Sequence, residues 1–202
     1  MRHRRRGRVL GRSPSHRKAM LRNLASALML TEFDFEADAE RRGMPAPENL
    51  PKIKGRIITT VTKAKEVRPL VEKCITIARD ALVHKAEADR LSTDAARHSD
   101  VWNNWRKSKR YNEWNQAMAP VVHARRRCLR LLGDKRAVRA LFETIAPRFA
   151  DRDGGYTRIL RLAKPRLGDA GTRAILEFVG VRDRSASARA QSPSFEKEPA
   201  ET

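Results

Sequence analysis

Between Arg2 and Arg22 the chain carries eight arginines and one lysine, with no acidic residue among them. Cations packed that closely repel one another, so this block has no compact form of its own and needs an apolar anchor or a polyanionic partner. The residues supply part of an anchor. Ser13-Pro14 reads as a helix start, with serine at the cap and proline at the first helical position. Met20, Leu24 and Leu28 then recur at a spacing of four, with Leu21 and Ala25 beside them, while Lys18, Arg22 and Ser26 fall on the opposite face. The pattern predicts a helix held by its apolar stripe, with a basic face outward. Residues 1–12, with Gly7 and Gly11 among the arginines and no apolar period, have no such hold. They are expected to be disordered alone and to take their shape from a partner.

Charge narrows the kind of partner. The formal net charge is +20 over 202 residues, an imbalance that a polyanion would neutralise. Nucleic acid is the first candidate and an anionic membrane surface the second. No apolar run approaches the roughly 18–20 residues needed to span a bilayer. Arginine greatly outnumbers lysine. Its planar guanidinium grips phosphate through two nitrogens and stacks on bases, which suits RNA. The basic start also resembles a transit peptide. However, the glycines and Pro14 interrupt any amphipathic helix before residue 13, and the basic character continues beyond a leader's length.

Catalytic readings lack parts. There is no GxxxxGK[ST] loop, and Gly154-Gly155 precedes a strand-like segment, whereas a phosphate loop opens a helix. No GxSxG elbow is present. His3, His16, His84, His98 and His123 form no metal-ligand spacing. Cys74 and Cys128 lie far apart in apolar helical patterns and read as small core residues in a reducing compartment. No cofactor, metal or small-molecule substrate is expected.

Composition changes after the first helix. "TEFDFEADAERRGMPAPENLP" holds six acids against two arginines, and Pro45, Pro47 and Pro51 mark a loop. Alternation of Glu32, Asp34, Glu36, Asp38 and Glu40 with Phe33, Phe35, Ala37 and Ala39 suits an edge strand or a solvated turn. Its charge is expected to face solvent or a protein partner rather than RNA. A short strand around Ile57–Val61 follows, then a helix with Val67, Leu70, Val71, Cys74 and Ala78 on one stripe. Pro69 is expected near its first turn or at a bend.

From Val83 to Met118 the pattern is polar and helical, and it contains Trp102, Trp105, Tyr111 and Trp114 among Arg106, Lys107, Lys109 and Arg110. These rings could stack on bases while the cations bind phosphate. Equally, Trp102 and Trp105, three apart, could pack this extension onto the domain. Pro120 is expected to open another helix, with Val121, Ala124, Cys128 and Leu132 on one side and Arg125, Arg126, Arg127 and Arg130 around it. Gly133-Asp134 gives a stop and a new cap, and the next helix carries Val138, Leu141, Phe142 and Ile145 as far as Pro147. "YTRILRLA" and "RAILEFV" then alternate with a period of two and read as a hairpin. Beyond Arg184 the chain is small and polar, and is expected to be disordered.

On physics alone this is a structured RNA-binding protein, with an architectural DNA-binding or chromatin-type protein as the rival. Three segments carry more. "MRHRRRGRVLGRSPSHRKAMLRNLASAL", "TTVTKAKEVRPLVEKCITIAR" and "LFETIAPRFADRDGGYTRILRL" resemble, in order, three blocks of the bacterial large-subunit ribosomal protein seventeen family. The resemblance covers roughly 1–30, 55–80 and 124–181. It implies an α+β fold, a small three-stranded mixed sheet covered by helices on one face, with a basic N-terminal arm (1–12). The domain would span 13–181 with insertions near 31–54 and 81–123, and the tail 182–202.

The implied role is structural: a constituent of the large subunit that binds folded ribosomal RNA near the peptide exit tunnel, beside neighbouring ribosomal proteins. It would support translation without catalysis, ribosome-bound in the cytoplasm. Carried over by position, the RNA contacts are Arg2, His3, Arg4, Gly7, Ser15, His16, Arg17, Arg22 and Asn23. The charge of the same block adds Arg5, Arg6, Arg8, Arg12 and Lys18. Lys63, Lys65, Arg148, Tyr156, Thr157 and Arg158 are further candidates, with a ring packed in the sheet as the alternative for Tyr156. Extra contacts are expected from Trp102, Trp105, Arg106, Lys107, Arg110 and Trp114 in the second insertion.

Overall fold

Helix α1, Pro14–Leu30, starts with Ser13 extended at its cap and Pro14 in the first turn. The computed structural model, which describes residues 7–45 and 48–180, shows that only the second half of this helix is anchored. Ala25, Leu28 and Met29 are fully buried, and Leu21 and Leu24 pack on the same core. No residue from Pro14 to Leu24 is buried. Ser26, expected on the outer face, is instead inside, and its hydroxyl donates to the Leu132 carbonyl at 3.0 Å. That carbonyl ends helix α5 (Lys109–Leu132), where no intrahelical donor remains. The serine is buried because it satisfies a group that would otherwise be orphaned.

The acidic stretch forms neither an edge strand nor a wholly solvated turn. It folds into helix α2, Phe35–Arg42. The Asp34 side chain caps it by accepting the Ala37 N–H at 3.0 Å, and Gly43 ends it at φ +62°, a conformation glycine adopts at little cost. Acids fill its first turn and Arg41 and Arg42 its last, the arrangement that complements the helix dipole. Asp38 and Ala39, neighbours in sequence, are both buried. A strand sends such neighbours to opposite faces; a helix can bury both.

Strand β1, Arg56–Thr60, runs directly into α3, Val61–Leu91, a helix about 46 Å long at 1.5 Å per residue. Pro69 lies in the third turn of α3 on an exposed position, where water can serve the carbonyl its ring leaves without a partner. After α4 (Asp100–Lys107), α5 returns antiparallel to α3. Cys128 Sγ lies 3.8 Å from the Cys74 carbonyl near one end, and Arg110 donates to the Arg90 carbonyl at 2.9 Å near the other. Between them Cys74, Ala78 and Ala81 face Val121, Ala124 and Cys128 in a buried seam of small side chains. Pro120 does not open this helix. It sits midway along α5 on an exposed position, again where its missing N–H can be compensated by solvent.

Gly133 at φ +82° stops α5, and Asp134 caps α6 (Lys135–Ala140) by accepting from the N–H groups of Arg136 and Ala137. The chain then widens into a π-helical turn, Leu141–Ile145, with the Ala146 N–H reaching back to the Leu141 carbonyl. A last turn, α7 (Ala146–Arg148), carries helix through Pro147 rather than ending before it. The wider turn relieves the clash a proline ring makes with the preceding turn. Val138, Leu141, Phe142 and Ile145 are all buried, as their spacing predicts.

Strands β2 (Thr157–Arg161) and β3 (Arg173–Phe178) form the expected hairpin, and β1 pairs on the far side of β3, giving the order β1-β3-β2. The fold is α+β with a three-stranded sheet, but the sheet is antiparallel throughout and not mixed. β1 and β2 run parallel to each other without pairing, because β3 is inserted between them. Ile57, Leu176 and Ile159 share the row facing the helices; Ile58, Ile175 and Leu160 share the next row, on the open face.

Candidate nucleic-acid interface

The first half of α1 is a projecting cationic surface. Ser15, His16, Lys18, Arg22 and Asn23 are exposed, and no acid among the described residues pairs with Arg17, Lys18 or Arg22. Arg17 is half-buried and donates to the Arg8 carbonyl at 3.4 Å. Arg2, His3, Arg4, Arg5 and Arg6 lie outside the described residues. Gly7–Arg12, expected to have nothing in the chain to hold it, is docked on α3. Arg8 Nε stands 3.5 Å from Glu66, and the Arg12 N–H closes a turn onto the Val9 carbonyl at 3.3 Å. Leu10 occupies that turn at φ +56°, a left-handed conformation that costs a side-chain-bearing residue about 1 kcal/mol. Arg12 donates through Nη1 to the Leu10 carbonyl at 2.8 Å, while its Nε is buried with no hydrogen-bond partner.

Several acids are turned inward to arginines of the body. Glu32, only 8% exposed, accepts both Arg148 guanidinium nitrogens at 3.1 and 3.0 Å. Asp38, 5% exposed, collects Arg42, Arg139 and Arg136 at 3.1, 3.1 and 3.4 Å. Solvent or a protein partner was expected to face both acids; the structure turns them instead to arginines of the same chain. Glu72 accepts from Arg68 Nε at 3.0 Å and from the Thr157 hydroxyl at 2.9 Å, and Arg158 Nε donates to buried Glu177. Tyr156 is 1% exposed, its ring 5.2 Å from that of Phe149, so the packing alternative holds for it. In the closing block, therefore, Arg148, Tyr156, Thr157 and Arg158 meet protein groups, three of them carboxylates, whereas no described acid meets an α1 cation. Ion pairs thus cover part of the body's charge, and among the described residues none covers the first half of α1.

A second basic surface surrounds the start of α3. The Leu10–Arg12 turn, Thr60–Lys63, Arg161 at the end of β2 and the β2–β3 loop enclose a cleft of about 630 Å³. Its cations are Arg12, Lys63, Arg161 and Arg166, and its one acid is Asp169. Arg166 grips Asp169, with Nε 2.8 Å from Oδ1, and the Gly171 N–H adds a bond at 3.2 Å. The hydrogen bonds from Arg166 and then from Gly171 hold the Asp169 carboxyl well below the usual carboxylate range. Thr60 at the α3 cap makes no side-chain capping bond, and the first turn contains no acid. On the other side of Val61 a second cleft is lined by Lys65, Arg68, Arg158 and Arg161. Of these cations only Lys63, Lys65, Arg158 and Arg12 were found from sequence. Arg68, Arg161 and Arg166 were missed, the last two because their convergence with α3 depends on how β2 and the β2–β3 loop fold back to it.

At the far end of the α3–α5 hairpin the aromatic residues pack on one another. Trp105 meets Tyr111 and Trp114 edge-on at 5.1 and 5.6 Å, and Tyr111 stacks on Trp114 at 5.7 Å. Trp105 Nε1 donates to the Leu91 carbonyl at 3.3 Å, closing the end of α3. The Arg106 guanidinium lies 5.0 Å from the Trp102 ring and 5.7 Å from that of Tyr111. These ring contacts favour packing over base stacking for Trp105, Tyr111 and Trp114. Lys107 and Arg110 remain exposed at the tip.

Among the described residues, no group of His, Cys, Asp and Glu could hold a metal ion, and no helix is long and apolar enough to cross a membrane. Cys74 and Cys128 are both fully buried free thiols. A hydrogen bond with Cys128, and then burial, push the Cys74 thiol well above its ordinary pKa, which keeps it protonated and unreactive.

Comparison with known proteins follows the same lines. Residues 52–179 match the family described as Ribosomal protein L17. The chain is 60% identical over 202 residues to the large ribosomal subunit protein bL17 of Rhodopirellula baltica, covering 100% of this chain and 91% of that one. It is 34% identical over 194 residues to the bL17 of Nitratidesulfovibrio vulgaris, covering 96% and 98% of the two. With the bL17 of Thermus thermophilus it shares 36% identity over 179 residues, 89% of this chain and 99% of the relative.

Proposed function

The chain belongs to the ribosomal protein L17 family, structural components of the large ribosomal subunit and not enzymes, and from that premise we propose how it serves there. It binds and stabilises folded ribosomal RNA near the peptide exit tunnel, next to neighbouring large-subunit proteins, and so supports translation. The observation that carries this reading is the unneutralised first half of α1. Arg17, Lys18 and Arg22 project from a helix whose second half is locked in the core, and no described acid pairs with them. A rigid helix presenting unpaired cations is a phosphate-binding element ready before its partner arrives.

The remaining assignments belong to the same reading. Arg2, His3, Arg4, Arg5 and Arg6 extend the cationic surface as a basic arm within 1–12, ahead of a body of 13–181 and a tail of 182–202. His16, Ser15 and Asn23 hydrogen-bond phosphate or sugar beside the α1 cations, and Lys63 and Lys65 contact backbone at α3. At the hairpin tip, Lys107 and Arg110 meet RNA as cations, while the tryptophans shape the tip.

The test is filter binding of the full chain to a large-subunit ribosomal RNA transcript across a salt series, with duplex DNA as competitor. We expect folded RNA to win the competition and Arg17→Ala with Arg22→Ala to reduce the slope of log affinity against log salt by about two. Equal competition by duplex DNA would favour an architectural DNA-binding role instead. A slope unchanged by the double substitution would remove α1 from the interface.

A further inference from the structure

We propose that the cleft at the start of α3 is a built phosphate seat, and that one RNA strand crosses the N-terminus of this helix with a phosphate in it. The inference rests on the RNA-binding reading above and adds to it a second, separate contact that uses Arg161 and Arg166.

Four independent features converge there. The first is charge. Arg12, Lys63, Arg161 and Arg166 come from four different segments of the chain and line one cavity of about 630 Å³, against a single carboxylate. Cations drawn together without acids raise the energy of the free protein, and an anion removes that penalty. The second is an orphan donor: Arg12 Nε is buried without a partner, although the Nη1 of the same guanidinium is satisfied by the Leu10 carbonyl. Arg12 thus lines the cleft with a guanidinium whose donors are not all used within the chain.

The third feature is the helix start itself. The Val61 N–H is taken by the Thr172 carbonyl at 3.1 Å, which ties the β2–β3 loop to α3. The following N–H groups have neither a side-chain cap nor a first-turn acid to meet them. The fourth is the one carboxylate present. Asp169 accepts Arg166 and the Gly171 N–H, as a phosphate oxygen would, so an anion already occupies one corner of the cleft. Its partner Arg166 can exchange that carboxylate for a phosphate at the cleft mouth.

The neighbouring cleft suggests the path of the strand. Arg161 and Val61 line both cavities, and the second continues past Lys65 and Arg68. A strand with one phosphate in the first cleft reaches these cations with the next.

Three variants of the full chain test this, each bound to the large-subunit ribosomal RNA transcript over a salt series. Arg161→Gln with Arg166→Gln is expected to reduce the salt slope by about two and to weaken binding on the order of tenfold. Because Arg166→Gln also releases the loop, Asp169→Asn serves as the second variant: it releases the same clasp without removing a cation. Binding by Asp169→Asn at or above the level of the unmodified chain supports the seat. A loss as large as that of the arginine variant assigns the effect to loop folding and overturns it.

The third variant, Arg17→Ala with Arg22→Ala, separates this inference from the reading beneath it. If that variant loses slope and the Arg161/Arg166 variant does not, RNA binding stands and the seat falls. If the unmodified chain shows no salt-dependent affinity for the transcript, both fall. Inorganic phosphate distinguishes a strand from a free anion. Shifts of the Thr62 and Lys63 amide signals with phosphate, combined with an RNA slope that ignores Arg161 and Arg166, would mean a small-anion site only, contrary to the proposal.

Discussion

Asp38 shows how this chain tolerates its charge at the scale of a residue. Its carboxylate is almost fully buried, yet three guanidinium groups from α2 and α6 surround it. Removing one partner of a buried ion pair costs roughly 3–5 kcal/mol, because the remaining charges are left uncompensated. Here the arginines are nearly half exposed, so water recovers part of the loss. Asp38→Asn is expected to lower stability by about 2 kcal/mol, below that range. Denaturant unfolding followed by circular dichroism measures it, and a change under about 0.5 kcal/mol, the usual scatter of surface substitutions, contradicts the role given to Asp38.

The buried thiols make a second residue-scale prediction. Cys74 keeps its proton in the fold to a higher pH than in the unfolded chain, because it is hydrogen-bonded to Cys128 and buried. A pKa raised on folding contributes stability that is complete below the unfolded value and declines as pH rises beyond it. The thiol's contribution should therefore fade above about pH 8.5. Unfolding curves from pH 7 to 10 are expected to fall less steeply for Cys74→Ala than for the unmodified chain. Identical alkaline limbs would show that the thiol titrates alike in both states.

At the scale of elements, what could be read in advance was what neighbouring residues decide. The apolar stripe of α1, the Gly133-Asp134 stop and cap, the buried face of Val138, Leu141, Phe142 and Ile145, and the β2–β3 hairpin all rest on spacing within a few residues. What could not be read was set by distant partners. Glu32 is buried because Arg148 is 116 residues away in sequence, and Ser26 because a carbonyl 106 residues away needs a donor. The continuity of α5 through Pro120 depends likewise on its antiparallel packing against α3 and on the ring cluster at the tip. The same cause hid Arg161 and Arg166 from the sequence reading.

The tip is a local unit, which gives an element-scale prediction. Trp105 contributes two edge-on ring contacts and the bond to Leu91. Each such ring pair is worth about 0.5–1.5 kcal/mol. Trp105→Ala should increase hydrogen exchange of amides from Leu91 to Trp114 by tenfold or more while β3 amides keep their protection. Loss of protection in β3 as well would show that the tip is cooperative with the sheet, against the picture of a separate cap on the hairpin.

For the whole molecule, the organising fact is that acids and bases are sorted in space. Acids of α2, α3 and β3, with Glu32, meet arginines of the body, and among the described residues the first half of α1 meets none. A large-subunit protein built this way folds around its own ion pairs and keeps the first half of α1 among the cationic surfaces left to meet a polyanion. The most direct measurement is a density map of the large ribosomal subunit containing this chain. The account predicts Arg17, Lys18 and Arg22 within about 4 Å of ribosomal RNA phosphate oxygens, the distance of a direct ion pair. A map in which those three side chains face solvent, or meet carboxylates of a neighbouring protein in place of RNA, would contradict it.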